Sequence, residues 1–181
     1  MKVQIVAELA QGFEGRAEQA RLLLRAAAAA DADAAKFQLV YADELATPDY
    51  QHYGLFRTLE MPDEVWAGLA AEAAKLKIEL HLDIFGSRSL RLAQEIGAGA
   101  IKLHATDIAN IGLLEDVARS SVRKVFLGAG GAHLTEVEGA LARLPGKEVV
   151  VLLGFQGYPT PTDTTAVDRA EPARAASGRC S

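Results

Sequence analysis

Cysteine is almost missing from this chain: its 181 residues hold one, Cys180. That excludes a disulfide framework and a cluster of thiolate metal ligands, and makes a reduced, cytoplasmic compartment the default expectation. Long apolar runs are missing as well. No stretch approaches the ~20 residues of a membrane helix, and the opening Met-Lys-Val-Gln-Ile-Val-Ala-Glu reads as a strand rather than a signal peptide. Nor is there an excess of positive charge. The 19 Lys and Arg are outnumbered by 24 Asp and Glu, and the net charge of −5 argues against nonspecific binding to nucleic acid or to an anionic membrane. What remains is ordinary for a globular protein, with 50% hydrophobic and 24% charged residues, and the length suits one domain with a sizeable core.

Against that plain background a repeat stands out. Short apolar runs ending in polar residues recur at 3–8, 34–38, 78–83, 100–104, 125–128 and 149–154, and helix-like segments separate them. Residues 16–30 are dense in Ala, Leu, Arg and Glu, all good helix formers. Pro62 with Asp63 and Glu64 suits a helix start, and that helix should reach residue 75. Further helices are predicted over 87–96, 107–119 and 134–144. Alternating strands and helices imply parallel strands joined by helical crossovers. The fold expected is α/β of the TIM-barrel type, incomplete, with about six βα units where a closed barrel has eight.

Two segments break the rhythm. The connection after the second strand, from Tyr41 past Pro48, Tyr50, His52 and Tyr53, is too long for a simple connector, and such loops are commonly functional or disordered. Residues 162–181 are rich in Thr, Ala, Arg and Pro and have no periodic face, so they read as a peripheral or disordered tail, with a short helix at most near 166–176. The expected division is therefore a partial barrel over 1–161 and a tail over 162–181.

In parallel α/β proteins the carboxyl ends of the strands carry the chemistry. Glu8 ends the first run, which reads as a strand covered on both faces, so its carboxylate needs either a Lys partner at the strand tips or a catalytic role. Lys36 and Lys102 lie in the apolar contexts Ala-Ala-Lys-Phe-Gln and Ala-Ile-Lys-Leu-His. Together they would make an anion pocket for phosphate or carboxylate, and either could form a Schiff base with a carbonyl substrate. A lysine snorkelling to water explains one of them more readily than both. Gly128-Ala-Gly-Gly131 could bring backbone N–H groups to an anion ahead of the following helix, although a plain tight turn is commoner. His81, His104 and His133 fall on or just after strands three to five, in a spacing that matches no metal signature.

Taken together these residues resemble the N-acetylneuraminate (sialic acid) synthase family over most of the chain. The carriers are Ile5-Val-Ala-Glu-Leu with Glu14-Gly15, Ala32-Asp-Ala-Ala-Lys-Phe-Gln38, Ala98-Gly-Ala-Ile-Lys102, Leu127-Gly-Ala-Gly130 with Thr135-Glu136, and Leu152-Leu153 with Tyr158-Pro-Thr-Pro161. The resemblance implies a (β/α)₈ barrel that condenses phosphoenolpyruvate with N-acetylmannosamine or a related amino-sugar aldehyde, using a divalent metal, Mn or Mg, and releasing phosphate. It also assigns roles. Glu8 would act on water or the sugar, Lys36 and Lys102 would hold phosphoenolpyruvate, Gln38 would line the same pocket, and Asp107 matches an acidic residue after the fourth strand. Gly128 and Gly130 stand where the family binds phosphate.

The departures are specific too. The family pattern Glu-Ile-Gly-x-Asn-His is here Glu8-Leu-Ala-Gln-Gly-Phe13, Ser-Thr-Gly is Gly128-Ala-Gly130, and the sixth strand ends Gly154-Phe-Gln-Gly157 rather than His-Cys. The family's metal-binding histidines belong to strands seven and eight, which have no counterpart in the sequence, so no metal ligands are expected in this chain. Three readings stay open: a divergent synthase, weak or inactive if this chain is the whole protein; a Schiff-base aldolase; and a truncated, non-catalytic barrel that binds a ligand or partner. An open barrel would expose strand edges and favour a homodimer.

Overall fold

The computed structural model describes residues 3–154 together with 157, 159 and 161. Tyr158 and Thr160 of the Tyr-Pro-Thr-Pro run, Phe155, Gln156 and the 162–181 tail lie outside the described residues. The chain forms two compact units, residues 1–101 and 102–181.

The first unit contains β1 (Val6–Ala10), α1 (Ala17–Ala29), β2 (Ala34–Gln38), α2 (Ala42–Leu45), α3 (Tyr53–Leu59), α4 (Asp63–Leu76), β3 (Glu79–Asp83), α5 (Ser87–Glu95) and the opening of β4 (Ala100–Leu103). β1 pairs in parallel with β2, and β2 with β3. The N–H of Gly99 reaches the Leu80 carbonyl at 2.9 Å and brings the start of β4 alongside β3. Side chains alternate across a strand, so Phe37 and Lys36 point to opposite faces of β2. Phe37 faces the helices. There it meets Phe13 and Trp66, each with ring centroids 6.1 Å away, while Phe13 and Trp66 lie 5.5 Å apart, all three pairs edge to face. Trp66 belongs to the buried stripe Trp66, Leu69 and Ala73 of α4, and α1 buries Ala20, Leu24 and Ala27. These spacings are those of an amphipathic helix laid on a sheet.

The opposite face of the same strands is polar. The register aligns Glu8 with Lys36 and Lys36 with His81, and two residues later Gln38 with Asp83. Lys36, His81 and Asp83 are all buried.

Two sequence expectations need correction in this unit. The first strand is not covered on both faces. It occupies Val6–Ala10 rather than 3–8, no residue of it is fully buried, and Val3 and Ile5 ahead of it are 78% and 60% exposed. Among the described residues its strand pairing is with β2 alone, so an apolar run that suggested two-sided burial forms a sheet edge. The long connection after β2 is also not structureless, because it contains α2 and α3. Helices of four and seven residues are too short to hold by propensity, and carboxylates pin them instead. Glu44 accepts the backbone N–H of Arg88 at 2.6 Å and that of Ser89 at 3.1 Å, which caps α5 from a distance. A side chain on Gly86 would collide with Glu44. Glu60 accepts the N–H of Ala42 at 2.7 Å. The Arg88 guanidinium stacks 3.7 Å over the Tyr41 ring, and the Tyr41 hydroxyl donates to Asp63 at 2.7 Å. Burial first and the Asp63 bond second push the pKa of that hydroxyl up.

The second unit holds the rest of β4, a 3₁₀ turn at Ala105–Asp107, α6 (Ile111–Arg119), β5 (Lys124–Gly128), α7 (Leu134–Ala142) and β6 (Glu148–Leu152). β5 and β6 are parallel. One helix was expected from residue 107. The structure starts α6 four residues later because Asn110 caps it, accepting the Leu113 N–H at 3.2 Å. Lys147 closes the other end of α6, donating to the carbonyls of Ser120 at 2.6 Å and Val122 at 2.7 Å. The six strands, each but the last followed by helical structure, are the βα repeats of a TIM-barrel-type α/β fold.

Ala10 marks a strained point at the end of β1. Its φ of +46° lies in the left-handed region, and the β1–β2 register shifts between Glu8 and Ala10. A Cβ costs about 1 kcal/mol there, so Ala10→Gly should raise the urea midpoint of unfolding. A lowered midpoint would show that the turn tolerates its Cβ without strain.

Candidate functional site

Lys36 is the centre of the strongest polar constellation in the first unit. Residues 34–37 of β2 are all buried, and the Lys36 side chain keeps 9% exposure. An ammonium held that deep needs compensation. It has two carboxylate partners: Nζ donates to Asp83 Oδ1 at 2.7 Å and forms an ion pair with Glu8 Oε2. The two differ sharply in setting, because the Asp83 side chain is 1% exposed and that of Glu8 is 52% exposed. Glu8 also turns back on its own strand, accepting the Ala10 N–H at 3.1 Å. Gln38, two residues further along β2, accepts a bond from Gln11 Nε2 at 2.7 Å.

Sequence reasoning named Glu8, Lys36 and Gln38 and treated Glu8 as the end of a buried strand. The structure brings Glu8 and Lys36 together but leaves Glu8 half in water. It adds Asp83, which had been recognised only as the polar end of a strand. The signal was present: Asp83 sits two residues after His81 on a strand that alternates, and His81 pairs with Lys36 on the neighbouring strand, so Asp83 faces the same way as Lys36.

Within the second unit, Lys102 Nζ lies 3.5 Å from His104 Nε2. Asp107, in the 3₁₀ turn, accepts from Asn110 Nδ2 at 3.3 Å. Burial raises its carboxyl pKa, and the Asn110 bond and the nearby His104 partly offset that rise. Gly128 packs against the turn from below. A Cβ on it would come within 2.8 Å of the Ala105 nitrogen and 3.1 Å of the Leu103 oxygen. Close backbone approach therefore accounts for the missing side chain. The next amide, that of Ala129, is spent on the Leu152 carbonyl at 2.9 Å. Gly130 lies in the turn that follows, and Glu136 already accepts the His133 N–H at 2.7 Å at the start of α7.

The three histidines have separate surroundings. His81 is buried with Nε2 at 2.8 Å from Glu79 Oε2, His104 accompanies Lys102, and His133 caps α7. Among the described residues no group of three or more His, Cys, Asp or Glu converges as a metal site would require. No described helix is long and apolar enough to cross a membrane.

The two links on Lys36 should carry different weights. Asp83→Asn takes the carboxylate from a buried ammonium, a change that costs ~3–5 kcal/mol in buried pairs, whereas Glu8→Gln breaks a partly exposed pair worth under ~1 kcal/mol. Urea unfolding of both variants measures this, and equal losses would contradict the distinction. Asp107 gives a pH prediction. Its folded pKa is raised, so its ionised form destabilises the fold, and that cost is present at pH 7 and relieved as pH falls towards the ordinary carboxylate value. Asp107→Asn should therefore melt later than wild type at pH 7, with the margin shrinking as the buffer is acidified. A margin independent of pH would assign the effect to something other than titration.

Comparison with known proteins agrees with this architecture. The model of the NeuB family matches residues 23–172. The chain is 27% identical over 175 residues to the spore coat polysaccharide biosynthesis protein SpsE of Bacillus subtilis, covering 89% of this chain and 47% of that protein. It is 26% identical over 160 residues to an uncharacterized protein of Methanocaldococcus jannaschii, again 47% of that protein. Among solved structures, N-acetylneuraminic acid (sialic acid) synthetase from Leptospira borgpetersenii superposes with a TM-score of 0.88 at 24% identity, covering 96% of this chain and 62% of that one. The Bacillus subtilis SpsE structure gives 0.80 at 26% identity, covering 96% of this chain and 51% of that one. The chain thus spans about half the length of the curated relatives it matches. With its family model matched over residues 23–172, the chain belongs to the NeuB family.

Proposed function

We propose that this chain binds phosphoenolpyruvate at Lys36 as its part in condensing that acid with N-acetylmannosamine or a related amino-sugar aldehyde, in carbohydrate biosynthesis. The observation that carries the reading is a buried ammonium in β2, two residues before the strand's carboxyl end, with a half-exposed carboxylate, Glu8, beside it. Family membership and the names of the relatives support the substrate class.

The chemistry divides simply between the two residues. Lys36 neutralises carboxylate or phosphate charge, which a rigid ammonium in a water-poor setting does better than a solvated one. Carbon three of phosphoenolpyruvate bonds to the aldehyde carbon, water adds to carbon two, and inorganic phosphate leaves. In this reading Glu8 takes the proton from that water, and its ion pair with Lys36, which sets the carboxylate beside whatever Lys36 holds, supports the role. Lys102 and Asp107 are the corresponding candidates of the second unit.

The test is phosphate release from phosphoenolpyruvate, measured with and without the amino sugar in a buffer containing Mn²⁺ or Mg²⁺, together with direct titration of phosphoenolpyruvate. Binding should be measurable and lost in Lys36→Met, with amino-sugar-dependent phosphate release slow in the wild type and slower still in Glu8→Gln. Failure of the folded wild-type protein to bind phosphoenolpyruvate would overturn the reading.

A further inference from the structure

The turn after β1 lacks two polar side chains of the family pattern and directs a third towards the site. Asn and His of the pattern are here Gly12 and Phe13, and Phe13 is buried in the aromatic cluster. Gln11 stands at the position that the pattern leaves open. Its backbone is well held. The Gln11 carbonyl accepts the Glu14 N–H at 2.9 Å, and the Gly12 N–H returns to the Leu9 carbonyl at 2.9 Å. From this turn the Gln11 carboxamide crosses to β2 and donates to Gln38 Oε1 at 2.7 Å.

Gln38 shares a face with Lys36, because it lies two residues further along the strand, about 7 Å nearer the carboxyl end. The polar face therefore has two layers. The inner one is charged and holds Lys36 with Asp83 and Glu8. The outer one, at the tip of β2, is a pair of neutral carboxamides, both half-buried.

The layers suit different ligands. An ammonium offsets the charge of an anion, which a carboxamide cannot do. A carboxamide instead offers N–H donors and an acceptor oxygen side by side. The bond between Gln11 and Gln38 uses one donor and one acceptor, and their carboxamides make no other hydrogen bond among the described residues. Groups of both kinds are left over at the strand tip. A hydroxyl is likewise donor and acceptor at once, so an uncharged molecule with neighbouring hydroxyls is the ligand that such a pair matches.

We propose that Gln11, acting with Gln38, binds the hydroxyl groups of the second, uncharged reactant, the amino-sugar aldehyde, and is a specificity-determining residue of this chain. A reactant on Lys36 and another on the carboxamide pair would stand side by side, as a bond between them requires. This inference rests on the reading of Lys36 as the site of the first reactant, and deepens it by giving the second reactant a place.

Titration of N-acetylmannosamine, with and without phosphoenolpyruvate, into the whole chain labelled with nitrogen-15 tests it. The amino sugar should shift the side-chain NH₂ signals of Gln11 and Gln38. Gln11→Leu should weaken its binding about two- to tenfold, the range of a neutral hydrogen bond, and leave the affinity for phosphoenolpyruvate unchanged. Gln38→Leu should cost a similar factor and the double variant little more, because the two side chains act as a unit. Side-chain signals that stay in place at high sugar concentration would overturn the inference, and this readout needs no variant to fold. So would unchanged sugar affinity in Gln11→Leu, or an equal loss of both ligands, which would assign Gln11 to the charged layer. The two readings fail separately. Sugar-dependent shifts of Gln11 and Gln38 without any affinity for phosphoenolpyruvate remove the first reactant and keep the carboxamide site. Phosphoenolpyruvate binding at Lys36 with no response of the pair to sugar does the reverse.

Discussion

The bond between Lys36 and Asp83 is the constraint on which the polar face of the first unit depends. It joins β2 to β3 through side chains, in addition to the backbone pairing of the same two strands. It also fixes the ammonium by means that have nothing to do with a ligand. Lys36 and Phe37 are consecutive, and alternation sends them to opposite faces. Phe37 is clamped by Phe13 and Trp66 in the helical layer, so the packing of α4 against the sheet sets where Lys36 can stand. A site of this kind is held from behind by the core and from beside by a buried carboxylate. Glu8, half exposed, is the member of the group that meets solvent.

Much of this fold was legible because its strands are short and mark their own ends. β2 was expected where it lies, and the expected β3, β4, β5 and β6 differ from the observed strands by a residue or two. The edge position of β1 was not legible. Val3 and Ile5 look in sequence like any buried run, and whether a face is covered depends on what lies next to it in space. The helices within 41–60 were hidden for a related reason. Four and seven residues show no period, and what stabilises them comes from Arg88, Ser89 and Glu60, beyond the reach of local pattern. At the site, Glu8 and Lys36 announced themselves by interrupting apolar runs, whereas the pairing of Lys36 with Asp83 required the β2–β3 register. Gly128 was noticed as a glycine, but the backbone that crowds it lies more than twenty residues earlier.

The departures from the family pattern at the first strand acquire physical meaning in the structure. Phe13 stands where the pattern has His, and it is fully buried in the aromatic cluster. A polar ring there would lose two edge-to-face partners, so the substitution belongs to the helical core rather than to the polar face. Ala10 stands where the pattern has Gly and adopts a conformation that glycine accepts more easily. The strain falls two residues from Glu8, the most exposed member of the Lys36 group.

The carboxylate of Glu44 has a consequence for the order in which the first unit assembles. It reaches the start of α5, 44 residues along the chain, and the groups it binds exist as a cap only after β3 has delivered α5 to its place. The cap thus ties the segment 41–60 to the α5 start across the sheet, so amide exchange of Arg88 and Ser89 reports on that junction as well as on the helix that they begin.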